Sequence, residues 1–205
     1  MSTPYAIDFT DETVLDEWVA IPILEGRGAG RVRRKWAKKF AELHFLLHED
    51  GRDKAKVKEL ARVLEGISEQ FPQKIPMQHL FAYLPGGRRE PLPFFFYAVE
   101  SQGPVGPLLD TLVQRNEPGA VREPQIVDFT TDNLGQGLRS IRHFGPGGGA
   151  PRVSVNYGWR VDSYGIDLSM RTVSDDIDWV SANIDAFDAF ARSMKVVHPN
   201  DLVVD

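Results

Sequence analysis

The sequence predicts an α+β protein: an antiparallel sheet of about six strands, a two-strand hairpin plus a four-strand meander, covered by helices and preceded by a helical N-terminal third. Three observations carry this reading. Between Pro151 and Thr172 apolar residues alternate with polar ones, through Val153, Val155, Tyr157, Trp159 and Val161 on one arm and Ile166, Leu168, Met170 and Thr172 on the other. Between Arg31 and Phe71 apolar residues recur instead at three and four positions, the helical period. From Met77 onward, strand patterns and helix patterns fall in separate runs rather than in strict alternation.

Taken in order, Thr10-Asp11-Glu12 would cap a short helix through Val14, Leu15, Trp18 and Val19, while the segment 18–24 reads equally as a strand. Pro22 excludes an ordinary helix interior there. Gly26-Arg27-Gly28-Ala29-Gly30 breaks the chain. From Arg31 a helix follows with Val32, Trp36, Phe40, Leu43 and Leu47 on one stripe, stopping at Gly51. Asp53 caps a second helix carrying Val57, Leu60, Ala61, Leu64, Ile67 and Phe71, ended by Pro72 and Pro76; the tight turn between the two predicts an antiparallel pair.

Residues 77–84 and 92–100 are apolar on both faces and flank a Pro85–Arg89 turn, as in a hairpin buried on both sides. Gly106-Pro107 opens a short helix through Leu108, Leu109, Leu112 and Val113. Strands at about 125–130 and 137–144 turn at Asp132–Gly135, and the loop 145–149 leads into the long hairpin. A connection at 162–165, with Gly165 in the left-handed position, pairs Val161 with Ile166, Trp159 with Leu168 and Tyr157 with Met170, and sets Arg160 against Asp167. Ser174-Asp175-Asp176 caps a closing helix with Ile177, Val180, Ile184, Phe187, Ala191 and Met194 on its apolar side. The expected organisation is one domain over 1–205, with a mainly helical part at 1–75 packing on an α+β core at 77–197 and a loose tail at 198–205.

The order hairpin, meander and closing helix, the last with FDAFARSM at 187–194, resembles the PsbP-like family of extrinsic photosystem subunits and their bacterial relatives over about 77–195. The helical N-terminal third departs from that family. The resemblance carries no catalytic motif, and it implies an α/β sandwich with a non-enzymatic binding or assembly role.

Composition bounds the function. A chain of 205 residues that is 42% hydrophobic can bury a substantial core. No apolar run approaches the roughly 18 residues of a membrane span, and the N-terminus lacks the layout of a secretory signal, so a cytoplasmic location is expected. With no cysteine there is no disulfide, thiolate metal site or cysteine nucleophile. A net charge of −5 makes nucleic acid an unfavourable partner. The charge is unevenly spread: residues 1–25 carry six acids and no Lys or Arg, whereas 26–39 carry seven bases (Arg27, Arg31, Arg33, Arg34, Lys35, Lys38, Lys39) and no acid.

The candidate sites follow from these patterns. His44 and His48 stand at i and i+4, a spacing divalent metals use, but two ligands make an incomplete site. The alternative has His48 complementing the helix dipole in the last turn while His44 half-faces the core, so no metal is expected. GRGAGR at 26–31 sits where phosphate loops sit, yet Arg31 occupies the position the dinucleotide fingerprint gives to Gly or Ala, and the Walker spacing is absent. Arg139 and His143 fall on one face of their strand, with Arg142 on the other, and Arg88 and Arg89 lie on a turn. No nucleophile elbow or calcium loop is present, and no cofactor is expected.

The leading expectation is therefore a non-catalytic binding or assembly protein that contacts an acidic protein partner. Arg27, Arg31, Arg33, Arg34, Arg88, Arg89, Arg139 and His143 are its anion- or partner-binding candidates, and self-association is compatible with the sequence. The alternative is a small-molecule or anion-binding protein, or an enzyme, with a pocket between the sheet and the N-terminal helices.

Overall fold

The long hairpin forms in the expected register. In the computed structural model, which describes residues 5–10, 16–48, 53–75, 77–86, 90–145 and 149–201, β7 (Arg152–Val161) and β8 (Ile166–Ser174) pair antiparallel with Val161 opposite Ile166, Trp159 opposite Leu168 and Arg160 opposite Asp167. Gly165 supplies the left-handed backbone that closes the turn, at φ 61°, and Gly165 N–H donates to the Asp162 carbonyl.

The remaining strands are β1 (Ala6–Phe9), β2 (Trp18–Ala20), β3 (His79–Tyr83), β4 (Leu92–Glu100), β5 (Gln125–Asp128), β6 (Gly137–Phe144) and β9 (Met194–Val197). Seven of the nine form one antiparallel sheet in the order β2-β3-β4-β8-β7-β6-β5, while β1 and β9 pair separately. The expected hairpin is β3–β4 and the expected meander is β5 to β8, so the α+β class holds. The seventh strand is β2, the strand reading of segment 18–24. The helices are α1 (Ala29–His48), α2 (Lys54–Lys74), α3 (Val105–Leu112), α4 (Ile177–Ala182) and α5 (Ile184–Ser193).

Contacts divide the chain into two compact units: the described residues of 16–95, and those of 1–15 together with 96–205. In the larger unit both faces of β7 are covered. Val153, Val155, Tyr157, Trp159 and Val161 are buried on one face, yet Ser154, Asn156 and Gly158 on the other are buried as well. The single buried face that alternation suggests is thus incomplete. Helix α3 covers the second face, and a Cβ at Gly158 would come within 2.7 Å of the Leu112 Cβ, so only glycine lets that helix seat. The polar residues beneath it are linked by hydrogen bonds, with the Ser140 hydroxyl donating to the Val113 carbonyl and the Asn156 amide nitrogen donating to Ser140 and Ser154.

The closing helix departs from expectation in two places. It breaks at Asn183, whose amide donates to the Trp179 carbonyl, giving α4 and α5. It also ends at Ser193. Met194 begins β9, which pairs with β1 so that Phe9 faces Met194 and Ala6 faces Val197. Asp176 is the N-cap, accepting from Trp179 N–H. Pro199–Asp201 forms a 3₁₀ turn, and the rest of the expected tail lies outside the described residues.

In the smaller unit α1 and α2 pack together over Val19, Ile21, Leu80, Ala82, Leu84 and Phe95. Asp53 caps α2 as expected, accepting from the N–H groups of Ala55 and Lys56. Pro72 lies inside α2 rather than ending it, and the helix runs on to Lys74.

Helix α1 differs most from its sequence pattern. Its buried face is Arg33, Ala37, Ala41, His44 and Phe45. Of the apolar stripe, Trp36 and Phe40 are half-buried at the edge of the core, whereas Val32, Leu43 and Leu47 are 55%, 48% and 68% exposed. Leu46, 63% exposed, joins them. Two alanines permit close approach to neighbouring elements, and Arg33 buries its stem while its guanidinium finds polar partners. The helix therefore packs through a face of two alanines, Arg33, His44 and Phe45 and leaves its larger aliphatic residues outside.

Candidate functional site

The helix pair carries a groove of ≈ 980 Å³ between α1 and α2. Its apolar lining comes from Leu43, Phe45 and Leu46 of α1 and from Val57 and Ala61 of α2. Six cations stand along it: Arg34, Lys38 and Lys39 on one wall, and Lys54, Lys58 and Arg62 on the other. Two carboxylates, Glu42 and Glu65, accompany them. Glu65 accepts from Arg34 at 3.3 Å and Glu42 lies 3.8 Å from Lys38, so these four residues compensate one another. Lys39, Lys54, Lys58 and Arg62 have no ion pair among the described residues.

The geometry follows from the helical period. Lys54, Lys58 and Arg62 are spaced i, i+4, i+8, which places them on one side of α2 at intervals of about 6 Å. On α1, Val32, Lys39, Leu43, Leu46 and Leu47 fall within an arc of roughly 100°, so aliphatic and cationic groups share one outward face. Contiguous exposed apolar surface rimmed by charge is a common property of interaction surfaces in proteins.

The structure distributes the sequence candidates unevenly. Arg27 and Arg31 are exposed at the start of α1, where Gly26 and Gly28 adopt φ of 83° and 97°. Arg34 lines the groove. Arg33 does not reach the surface: it is 7% exposed and donates to the Ser68 hydroxyl at 3.3 Å and to the Leu24 carbonyl at 3.3 Å, with Glu69 at 3.5 Å. It is an anchor of the fold. Arg88 and Arg89 lie outside the described residues.

Arg139 is committed to α5, donating to Asp188 at 2.6 Å, and the other oxygen of that carboxylate accepts from the Tyr157 hydroxyl at 2.7 Å. Burial, and next the Asp188 charge, hold the Tyr157 phenol well above its ordinary range, so it stays protonated. His143 is buried and its ring contacts Arg122 at 3.0 Å; desolvation first, and the Arg122 charge second, lower its pKa. Arg142 does point to the opposite face, where it donates to the Gln114 side chain and the Glu117 carbonyl, both at 2.9 Å.

The His44 and His48 rings lie with centroids 4.9 Å apart and tilted by 51°, His44 buried and His48 exposed in the last turn of α1. Among the described residues no group of three or more metal-ligating side chains comes together. Nor is any helix of the described residues long and apolar enough to cross a membrane.

Sequence reasoning missed the α2 wall and Leu46. The signal for the wall was present in the i, i+4, i+8 spacing of Lys54, Lys58 and Arg62. What could not be read was which faces of α1 and α2 meet.

The fold defines an α+β protein with a helix pair carrying an amphipathic groove. No protein-family model matches the chain, and no curated protein matches it. Among solved structures it is similar to LpqN of Mycobacterium tuberculosis, whose crystal structure is described as that of a protein involved in cell envelope biogenesis. That likeness has 13% sequence identity and a TM-score of 0.51, and it covers 95% of this chain and 85% of LpqN. It supports the α+β fold over most of the chain and leaves the PsbP-like resemblance as a likeness in element order.

Proposed function

We propose that this chain is a non-catalytic binding or assembly protein that holds an acidic segment of a protein partner in the groove between α1 and α2. The single observation that carries the reading is the α1 side of the groove: Leu43 and Leu46, 48% and 63% exposed, line it beside Lys39, which has no ion pair among the described residues, and face Lys54, Lys58 and Arg62 on the opposite wall. Leaving aliphatic side chains exposed forgoes burial worth about 1.5–3 kcal/mol each, which a partner covering them would recover. The flanking cations select an acidic occupant and speed its approach. Participation of LpqN in cell envelope biogenesis is consistent with an assembly role and does not specify one.

The experiment places a photo-crosslinking amino acid at Leu46 in the full chain, expressed in its own host, with Val99 as a control position. The expected result is crosslinking at position 46 to a defined partner through an acidic segment, lost on charge reversal of Lys39, Lys58 and Arg62. Crosslinking that is equal at both positions, or unaffected by charge reversal, would overturn the reading.

A further inference from the structure

We infer that the occupant of the groove is an acidic amphipathic α-helix of about three turns, docked as a third helix along the α1–α2 pair. This rests on the binding reading above and names the form its partner takes. The lining runs from Arg34 to Leu46 on α1 and from Lys54 to Glu65 on α2, in each case about 17–18 Å of helix axis. Eleven or twelve residues of a partner helix cover that distance.

Three features select a helix. Both walls are helices, whose main-chain groups are spent within themselves, so an extended segment would find no edge to pair with and would desolvate its own N–H and C=O groups unmet. A helix brings its backbone already satisfied. The second feature is the spread of charge. Lys54, Lys58 and Arg62 recur once per turn along one wall and Lys39 stands on the other. A single headgroup carboxylate or phosphate at one end would reach only part of this array, whereas carboxylates at i, i+4 and i+8 meet it throughout. Third, the lining supplied by Leu43, Leu46, Val57 and Ala61 is a narrow stripe, matched by apolar residues at i, i+3 or i+4, and i+7. A second copy of this chain docking by the same face is disfavoured, because it would set cations against cations.

The test titrates the full-length protein with a fluorescent twelve-residue peptide, helix-stapled, with leucines at i, i+4 and i+7 and glutamates flanking them. Companion titrations use the same composition with a central proline, a lysine-for-glutamate version, and anionic phosphatidylglycerol vesicles. The expected result is saturable binding of the stapled acidic peptide, weakened on the order of ten-fold or more by the proline and by K39E/K58E/R62E, and abolished in the lysine version. Circular dichroism of the triple variant, whose changes are all at exposed positions, verifies that it folds. Equal binding of stapled and proline peptides overturns the helical form while the acidic-partner reading stands. Binding of vesicles in place of every peptide overturns both, as does binding of the lysine version.

Discussion

The β7–β8 hairpin and helix α1 were equally regular in sequence, and the structure uses their patterns in opposite ways. On the hairpin every apolar residue of the alternating set is buried, with Tyr157 and Trp159 fully enclosed and stacked at 5.7 Å. On α1 the periodic aliphatic residues are largely outside, and two alanines, an arginine, a histidine and Phe45 take the core face. A strand has only two faces, and a turn of fixed length pins the register, so pattern decides placement. A helix has a continuous circumference, and any face that lets neighbours approach closely can be chosen. An apolar face that folding does not consume is then available for binding.

The largest expected effect is on the hairpin side of this comparison. Trp159→Ala removes a fully buried ring whose indole N–H donates to the Phe129 carbonyl, and it should cost about 3–5 kcal/mol by urea unfolding. A loss below about 1 kcal/mol would mean the two regions do not differ as described. Asp188→Ala should cost about 2–3 kcal/mol, because it strands the buried Tyr157 hydroxyl and the Arg139 guanidinium together. Asp188→Asn, which keeps an acceptor for one of them, should lose less.

A smaller contrast separates the cations. Arg33→Ala should lower stability by about 1–2 kcal/mol through its lost bonds to Ser68 and the Leu24 carbonyl. Lys39→Ala should leave stability within about 0.5 kcal/mol, since its side chain is exposed. If the two variants melt alike, the division between fold cations and groove cations fails.

The smallest expected effect is on pH. His79 and His143 both have pKa values lowered chiefly by desolvation, so the unfolded chain binds protons more readily than the folded one. Their contribution is present above the ordinary histidine pKa of about 6.5 and is lost as pH falls below it. Thermal unfolding should show stability declining from pH 7 toward pH 5, less so in His143→Gln, where one of the two titrating groups is gone.

These contrasts also explain what the sequence made legible. The meander, the hairpin register and the Asp53 and Asp176 caps could be read because each depends on residues close in the chain. The covering of the second face of β7 by α3 turned on Gly158, a residue that in sequence is merely a polar-side position in an alternating strand. Met194 kept the helical period of its helix yet became the first residue of β9, because pairing with β1 overrides local propensity there. At the candidate site the bases of 27–39 were visible as a run, but the run mixed Arg33, which is consumed by the fold, with Arg34 and Lys39, which are not. The opposite wall lay some twenty residues away and became part of the site only through helix packing.

The most direct test of the central claim is the parallel measurement of unfolding free energy and acidic-peptide affinity in Leu46→Asp. Stability unchanged within about 0.5 kcal/mol, together with affinity reduced on the order of ten-fold or more, is the predicted result, since the side chain serves the groove and not the core. A loss of more than about 2 kcal/mol in stability with peptide affinity intact would contradict it.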